Sequence, residues 1–104
     1  MVLYIVKWDI HPDKVEAYTT WLNSAIPRTL AAPGVVEFRG YRGVSGASQI
    51  MATYEFADLA AWATWFAHED CQNVLAELYT LTQNVKTELW WPSPTVPAPI
   101  RPGK

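Results

Sequence analysis

Ala57-Asp58-Leu59-Ala60-Ala61-Trp62-Ala63-Thr64-Trp65-Phe66-Ala67-His68-Glu69-Asp70 is the stretch on which the reading of this chain turns. It sets two tryptophans, a phenylalanine and one of the two histidines on about three helical turns. Asp58 suits the helix start, because its carboxylate can accept the free N–H groups of the first turn. Leu59, Trp62 and Phe66 recur at i, i+3 and i+7 and predict a buried stripe, with Trp65 at one edge. His68 falls where that helix should end, and Asp70 opens a second helical piece. The wall of any small-molecule site is expected here.

Upstream, Val2 to Asp9 is rich in β-branched and aromatic residues and reads as a strand. Its two faces, Val2-Tyr4-Val6-Trp8 and Leu3-Ile5-Lys7-Asp9, both begin apolar, so cover is expected on both sides. His11-Pro12-Asp13 turns the chain into a helix whose stripe is Val15, Tyr18, Leu22 and Ile26. Pro27 predicts a kink or a fresh turn, and Pro33-Gly34 ends the segment. Val35 to Val44 and Gln49 to Phe56 read as a hairpin around the glycine- and serine-rich loop at 43–48. In it Phe38 and Gly40 share one face, as do Ile50, Ala52, Tyr54 and Phe56.

Downstream, Val74, Leu75, Leu78 and Leu81 mark the inner stripe of the next helix, and Val85 to Trp91 reads as a last strand. Trp90 and Trp91, as strand neighbours, point to opposite faces, and neither is expected to stay in water. The order β-α-β-β-α-β is the ferredoxin-like α+β pattern, a four-stranded antiparallel sheet with the helices on one face. The domain spans residues 1–91. Five prolines between 92 and 104 mark an extended tail without a core of its own.

Half of the 104 residues are apolar, and six tryptophans, five tyrosines and three phenylalanines are a heavy load for a domain this small. A homodimer joined through the bare sheet face is therefore expected, removing about 800 Å² per partner from water. The proline-rich tail is expected to lie across the partner subunit. A net charge of −2 with no run of either sign leaves no nucleic-acid footprint. The apolar start is interrupted by Lys7 and Asp9 too early for a leader or membrane span, so a cytoplasmic protein is expected. The lone Cys71 rules out an internal disulfide.

No metal-ligand spacing, phosphate loop or nucleophile elbow occurs, and no cofactor is expected. His68 reads either as a general base or substrate anchor, or as a helix-end residue serving backbone groups. Trp62, Trp65, Phe38 and Tyr54 either line a pocket for a flat ligand between helix and sheet or are plain core. Arg39, Arg42, Glu37 and Glu55 on the hairpin read either as an anion site or as cross-strand ion pairs in the dimer interface. Cys71 lies in a first helical turn, a place that can lower a thiol pKa.

Strand order, Pro33-Gly34-Val35 entering strand two, Tyr54-Glu55-Phe56-Ala57-Asp58 entering the tryptophan helix, and His68-Glu69-Asp70 ahead of Val74-Leu75 resemble the dimeric α/β-barrel superfamily. Within it they resemble the antibiotic biosynthesis monooxygenase-like group, over residues 2–91. The haem-degrading branch carries an asparagine on strand one and a haem-ligating histidine beyond the helix tryptophan. Trp65 matches that tryptophan, but strand one offers Lys7, Trp8 and Asp9 and no histidine lies near Leu75, so the resemblance implies no haem. It implies cofactor-independent oxygenation or isomerisation of a small aromatic or polyketide-like compound, with His68 as proton acceptor. The alternative is a non-catalytic homodimer that binds a ligand or serves assembly.

Overall fold

The computed structural model describes residues 1–103; the last residue of the expected tail, Lys104, lies outside the described residues. The elements are β1 (Val2–Ile10), a 3-10 turn (Pro12–Lys14), α1 (Val15–Ala31), β2 (Glu37–Arg42), β3 (Ile50–Phe56), α2 (Leu59–Ala67), α3 (Glu69–Leu81) and β4 (Thr82–Trp90). All strand pairs are antiparallel and the order is β2-β3-β1-β4. This is the ferredoxin-like α+β fold that the hydrophobic pattern predicts, with the second helical segment split at His68.

Register turns the alternating strands into rows. On the helix side, Phe38, Tyr54 and Tyr4 form one row across β2, β3 and β1. Gly40, Ala52 and Val6 form the next, and Arg42, Ile50 and Trp8 the third. On the outer side the rows are Glu37-Glu55-Leu3-Trp90, Arg39-Thr53-Ile5-Glu88 and Tyr41-Met51-Lys7-Lys86. The ion pair on the hairpin joins Arg39 to Glu37 along one strand, whereas Glu37 faces Glu55 across it.

The caps and stripes account for the helices, with several departures from the sequence pattern. Asp58 Oδ1 accepts from the Ala61 N–H at 2.8 Å, which satisfies one free donor of the first turn of α2. The buried residue of α2 is Trp65, at 3 % exposure, while Leu59 is 47 % exposed. The helix crosses the sheet so that its Trp65 edge points down and the Leu59 end runs out over solvent. Val15 of α1 is likewise exposed, and Tyr18, Ala25 and Thr29 carry that helix's contact. α1 runs through Pro27 without ending, because the ring sits on the exposed side where the lost hydrogen bond leaves a carbonyl to water.

β2 is shorter than the pattern predicts, and β4 begins three residues earlier. Thr82 at the start of β4 is buried, and its hydroxyl donates to the Leu78 carbonyl at 2.6 Å. The early start is accommodated by a register shift between Lys7 and Asp9 and by Asn84 in the left-handed region, φ 55°. Asp9 secures this irregular corner by accepting from the Gln49 N–H and the Asn84 Nδ2, both at 2.9 Å. Trp90 and Trp91 are 57 % and 61 % exposed in the single chain, and the residues after β4 form no further strand or helix among those described.

Trp65 joins three elements. Its indole N–H donates to the Thr29 carbonyl of α1 at 2.8 Å, and its ring lies 4.8 Å from Tyr54 and 5.0 Å from Phe56. Gly34 turns the chain beneath it at φ 121°, a conformation that L side chains rarely adopt, while a Cβ there would make only ordinary contacts, 3.4 Å from the Ala61 carbonyl and 3.7 Å from the Trp65 Cβ. Trp65→Ala is expected to cost about 3–5 kcal/mol. Trp65→Phe, which leaves the Thr29 carbonyl unpaired, should cost about 1–3 kcal/mol. Urea denaturation of the two variants measures both.

Candidate ligand cavity

A cavity of about 340 Å³ lies between the sheet and the helices, within the range of small-molecule sites. Its floor follows from the rows. Gly40, Ala52 and Val6 are small, and they lie between the aromatic row Phe38-Tyr54-Tyr4 and the row Arg42-Ile50-Trp8. A Cβ added at Gly40 would meet nothing within 4 Å, which locates open space directly above it. Tyr18, Trp21, Leu22, Ala25, Ile26 and Thr29 of α1 form one side. Cys71, Val74, Leu75 and Leu78 of α3 form the other, and Trp65 and Phe66 of α2 close the inner end. Gly40, Tyr41 and Arg42 are exposed, so the rim lies at the end of β2.

The wall is apolar apart from a few hydroxyls, a thiol and one guanidinium. The Tyr54 hydroxyl donates to Thr29 Oγ1 at 3.1 Å, and the Thr29 hydroxyl donates to the Ile26 carbonyl at 2.9 Å. Tyr18 accepts from Trp8 Nε1 at 3.1 Å, which leaves the Tyr18 proton available to another acceptor. Tyr4 lines the same space without a hydrogen bond among the described residues. Burial, followed by the neighbouring Tyr79, Tyr54 and Cys71, pushes its pKa up to about 12. Burial raises Tyr54 and Tyr18 as well.

The Cys71 thiol is not activated by its place in the first turn of α3. Burial, with the Asp70 carboxylate beside it, pushes its pKa up to about 11. Both effects oppose the charge that a helix N-terminus would favour. Among the described residues Arg42 is the one basic or acidic ionic side chain on the wall.

The sequence-selected residues separate into two groups. Phe38, Tyr54 and Trp65 all line the cavity, with Phe38 and Tyr54 4.9 Å apart. Trp62 stands outside the lining, stacked on Phe66 at 5.1 Å and 5.9 Å from Tyr4. Its indole nitrogen is the one buried side-chain polar atom without a partner among the described residues. His68 is exposed, is absent from the wall, and uses Nδ1 to accept from the Asp70 N–H at 3.3 Å. It is the N-cap of α3. His11 acts in the same way on the Asp13 N–H at 3.1 Å.

Sequence reading did not select Tyr18, Trp8, Tyr4 or Gly40 as site residues. Their signal was alternation within strands and one helix, but which strand residues share a row required the register. Among the described residues no group of three His, Cys, Asp or Glu side chains is placed to hold a metal ion, and no helix is long and apolar enough to cross a membrane.

The geometry defines a ferredoxin-like α+β domain with an aromatic cavity between its layers. The family model for antibiotic biosynthesis monooxygenase matches residues 1–77, and the chain belongs to that family. No curated protein matches it. Among solved structures, it is similar to a dabb family protein with a ferredoxin-like fold from Mesorhizobium loti, 20 % identical over 88 % of this chain and 96 % of that one, with a TM-score of 0.78. It is also similar to a protein of Mycobacterium tuberculosis, 18 % identical over 99 % and 98 % of the two chains, with a TM-score of 0.71. A dimeric ferredoxin-like protein of unknown function from Thermobifida fusca is 11 % identical over 86 % and 88 %, with a TM-score of 0.71. At these identities the likeness is one of fold.

The raised thiol and phenol pKa values make a sign-definite prediction. A group whose folded pKa lies above its unfolded value stabilises the fold below the unfolded pKa and loses that contribution as pH rises through the folded one. Stability should therefore fall from pH 9.0, the ordinary thiol value, toward about 11 for Cys71, and from 10.0 toward about 12 for Tyr4. Urea midpoints across this range check it, and Cys71→Val should remove the lower part of the decline.

Proposed function

We propose that this chain is a homodimeric monooxygenase-like protein whose cavity holds a small aromatic or polyketide-like compound for cofactor-independent oxygenation or isomerisation. The supporting observation is the aromatic cavity above the small row Gly40-Ala52-Val6. Phe38, Tyr54 and Trp65 present ring faces and edges to a flat ligand. The Tyr18 and Tyr4 hydroxyls supply donors for a ligand oxygen. Trp62 supports the wall from behind Tyr4 and Phe66. Oxygenation without a cofactor uses an electron-rich methylene compound, R₂CH₂, which loses a proton and reacts with O₂ to give R₂C=O and H₂O. His68 is the proton acceptor in this proposal, acting from the α2–α3 junction.

One observation favours a second reading, a non-catalytic binding protein. Burial pushes the Tyr4 phenol up to about 12 and the Cys71 thiol up to about 11, and among the described residues no carboxylate or imidazole faces the cavity. Anthrone serves as the probe that separates the two. Oxygenation predicts tryptophan quenching by anthrone and uptake of one O₂ per molecule converted to anthraquinone, both abolished in Gly40→Phe, whose ring fills the cavity. Quenching without O₂ uptake supports the binding protein. Turnover that survives His68→Ala removes His68 as proton acceptor, and that variant should cost only the cap, about 1 kcal/mol.

The homodimer forms through the outer sheet face. Leu3, Ile5, Met51 and Thr53 occupy the middle of that face, and charged residues occupy its edges. Trp90 and Trp91 gain cover in such an arrangement. The Thermobifida fusca neighbour is described as dimeric, which accords with this. Sedimentation at micromolar concentration should return twice the chain mass, and Ile5→Lys should halve it.

A further inference from the structure

We infer that the ligand of this cavity carries a carboxylate, bound at the rim by Arg42, with its apolar body seated over Gly40. Carboxylate recognition presupposes the ligand-binding role proposed above and names the class of compound that fits it. The inference stands on the placement of one charge. Phe38, Gly40 and Arg42 alternate onto the helix side of β2, so Arg42 belongs to the row Arg42-Ile50-Trp8 and lines the cavity. It is exposed, and among the described residues no carboxylate lies on the cavity wall to compete for it. Among the described residues three cations form ion pairs, Lys7, Arg28 and Arg39, with Glu88, Glu77 and Glu37. Arg42 forms no ion pair among the described residues.

The chemistry of such a site is specific. A guanidinium fork matches the two oxygens of a carboxylate, and neither partner needs to be fully stripped of water at an exposed rim. The depth of the cavity disfavours a second charge, as the burial that raises the pKa of Tyr4, Tyr18, Tyr54 and Cys71 shows. The ligand is thus an aromatic monoacid, entered ring first, with the acid group left at the mouth. A neutral oxygen on its inner part has the Tyr18 proton to accept. Arg42 lies on the opposite side of the sheet from the face proposed for dimerisation, so pairing of two chains leaves it free.

The test compares 2-naphthoate with its neutral counterpart 2-naphthamide by tryptophan quenching and calorimetry, on the full chain at low salt. The acid should bind about tenfold tighter than the amide, an advantage that shrinks as salt screens the rim. Arg42→Gln should abolish the preference while the amide's affinity changes less than twofold. Arg42→Lys, a point charge without the fork, should retain only part of it. Equal binding of acid and amide, or a preference that survives Arg42→Gln, overturns the inference and leaves the cavity standing. Binding of both compounds that is unaffected by Gly40→Phe overturns the cavity itself, and the inference falls with it.

Discussion

The structure depends on the burial of one indole, Trp65, between α1 and the sheet. Its position is over-determined: the Thr29 carbonyl takes its N–H, Tyr54 and Phe56 take its ring, and Gly34 turns the chain beneath it. Thr29 in turn receives the Tyr54 hydroxyl. A carbonyl in the last turn of α1, which would otherwise lack a helical partner, is thereby paired by another helix. The helix layer is set at a fixed height above the sheet at this end. Large rings hold the layers apart there, and the small row beside them leaves the space that becomes the cavity.

That arrangement explains why the cavity is both aromatic and neutral. Rings that separate the layers also form the wall, and the Tyr54 and Tyr18 hydroxyls are bonded to Thr29 and to the Trp8 indole rather than to charges. Low polarity around Tyr4 and Cys71 favours their protonated forms, so the site offers donors and ring faces but little basicity. The caps that begin α2 and α3, Asp58 and His68, face outward from this layer. They order the helices from outside the wall. Only the rim at the end of β2 brings charge to the cavity.

Much of the architecture was legible along the chain. The alternation of β1, the glycine-serine loop of the hairpin, the Asp58 cap and the interruption at His68 each act over a few residues, and local patterns report local constraints. Departures arose where two elements meet. Leu59 and Trp65 lie on different edges of one helix, and period alone does not tell which edge faces down; packing on the sheet buries Trp65 and leaves Leu59 exposed. The early start of β4 depends on Asp9, far away in sequence, accepting from Asn84.

The sequence by itself determined the order of elements, the faces of the strands and the family, because those follow from periodicity and turn chemistry within short windows. It also brought Phe38, Tyr54 and Trp65 into consideration, since large rings on an inward face have few other uses. Tertiary structure alone decided that Gly40, Ala52 and Val6 share a row, that Tyr18 and Tyr4 look into the space above it, and that Arg42 guards its mouth. It likewise placed His68 on a cap instead of the wall. The physical reason is register: shifting a strand by one residue exchanges its faces, and no local pattern records which residues of three different strands come to stand side by side.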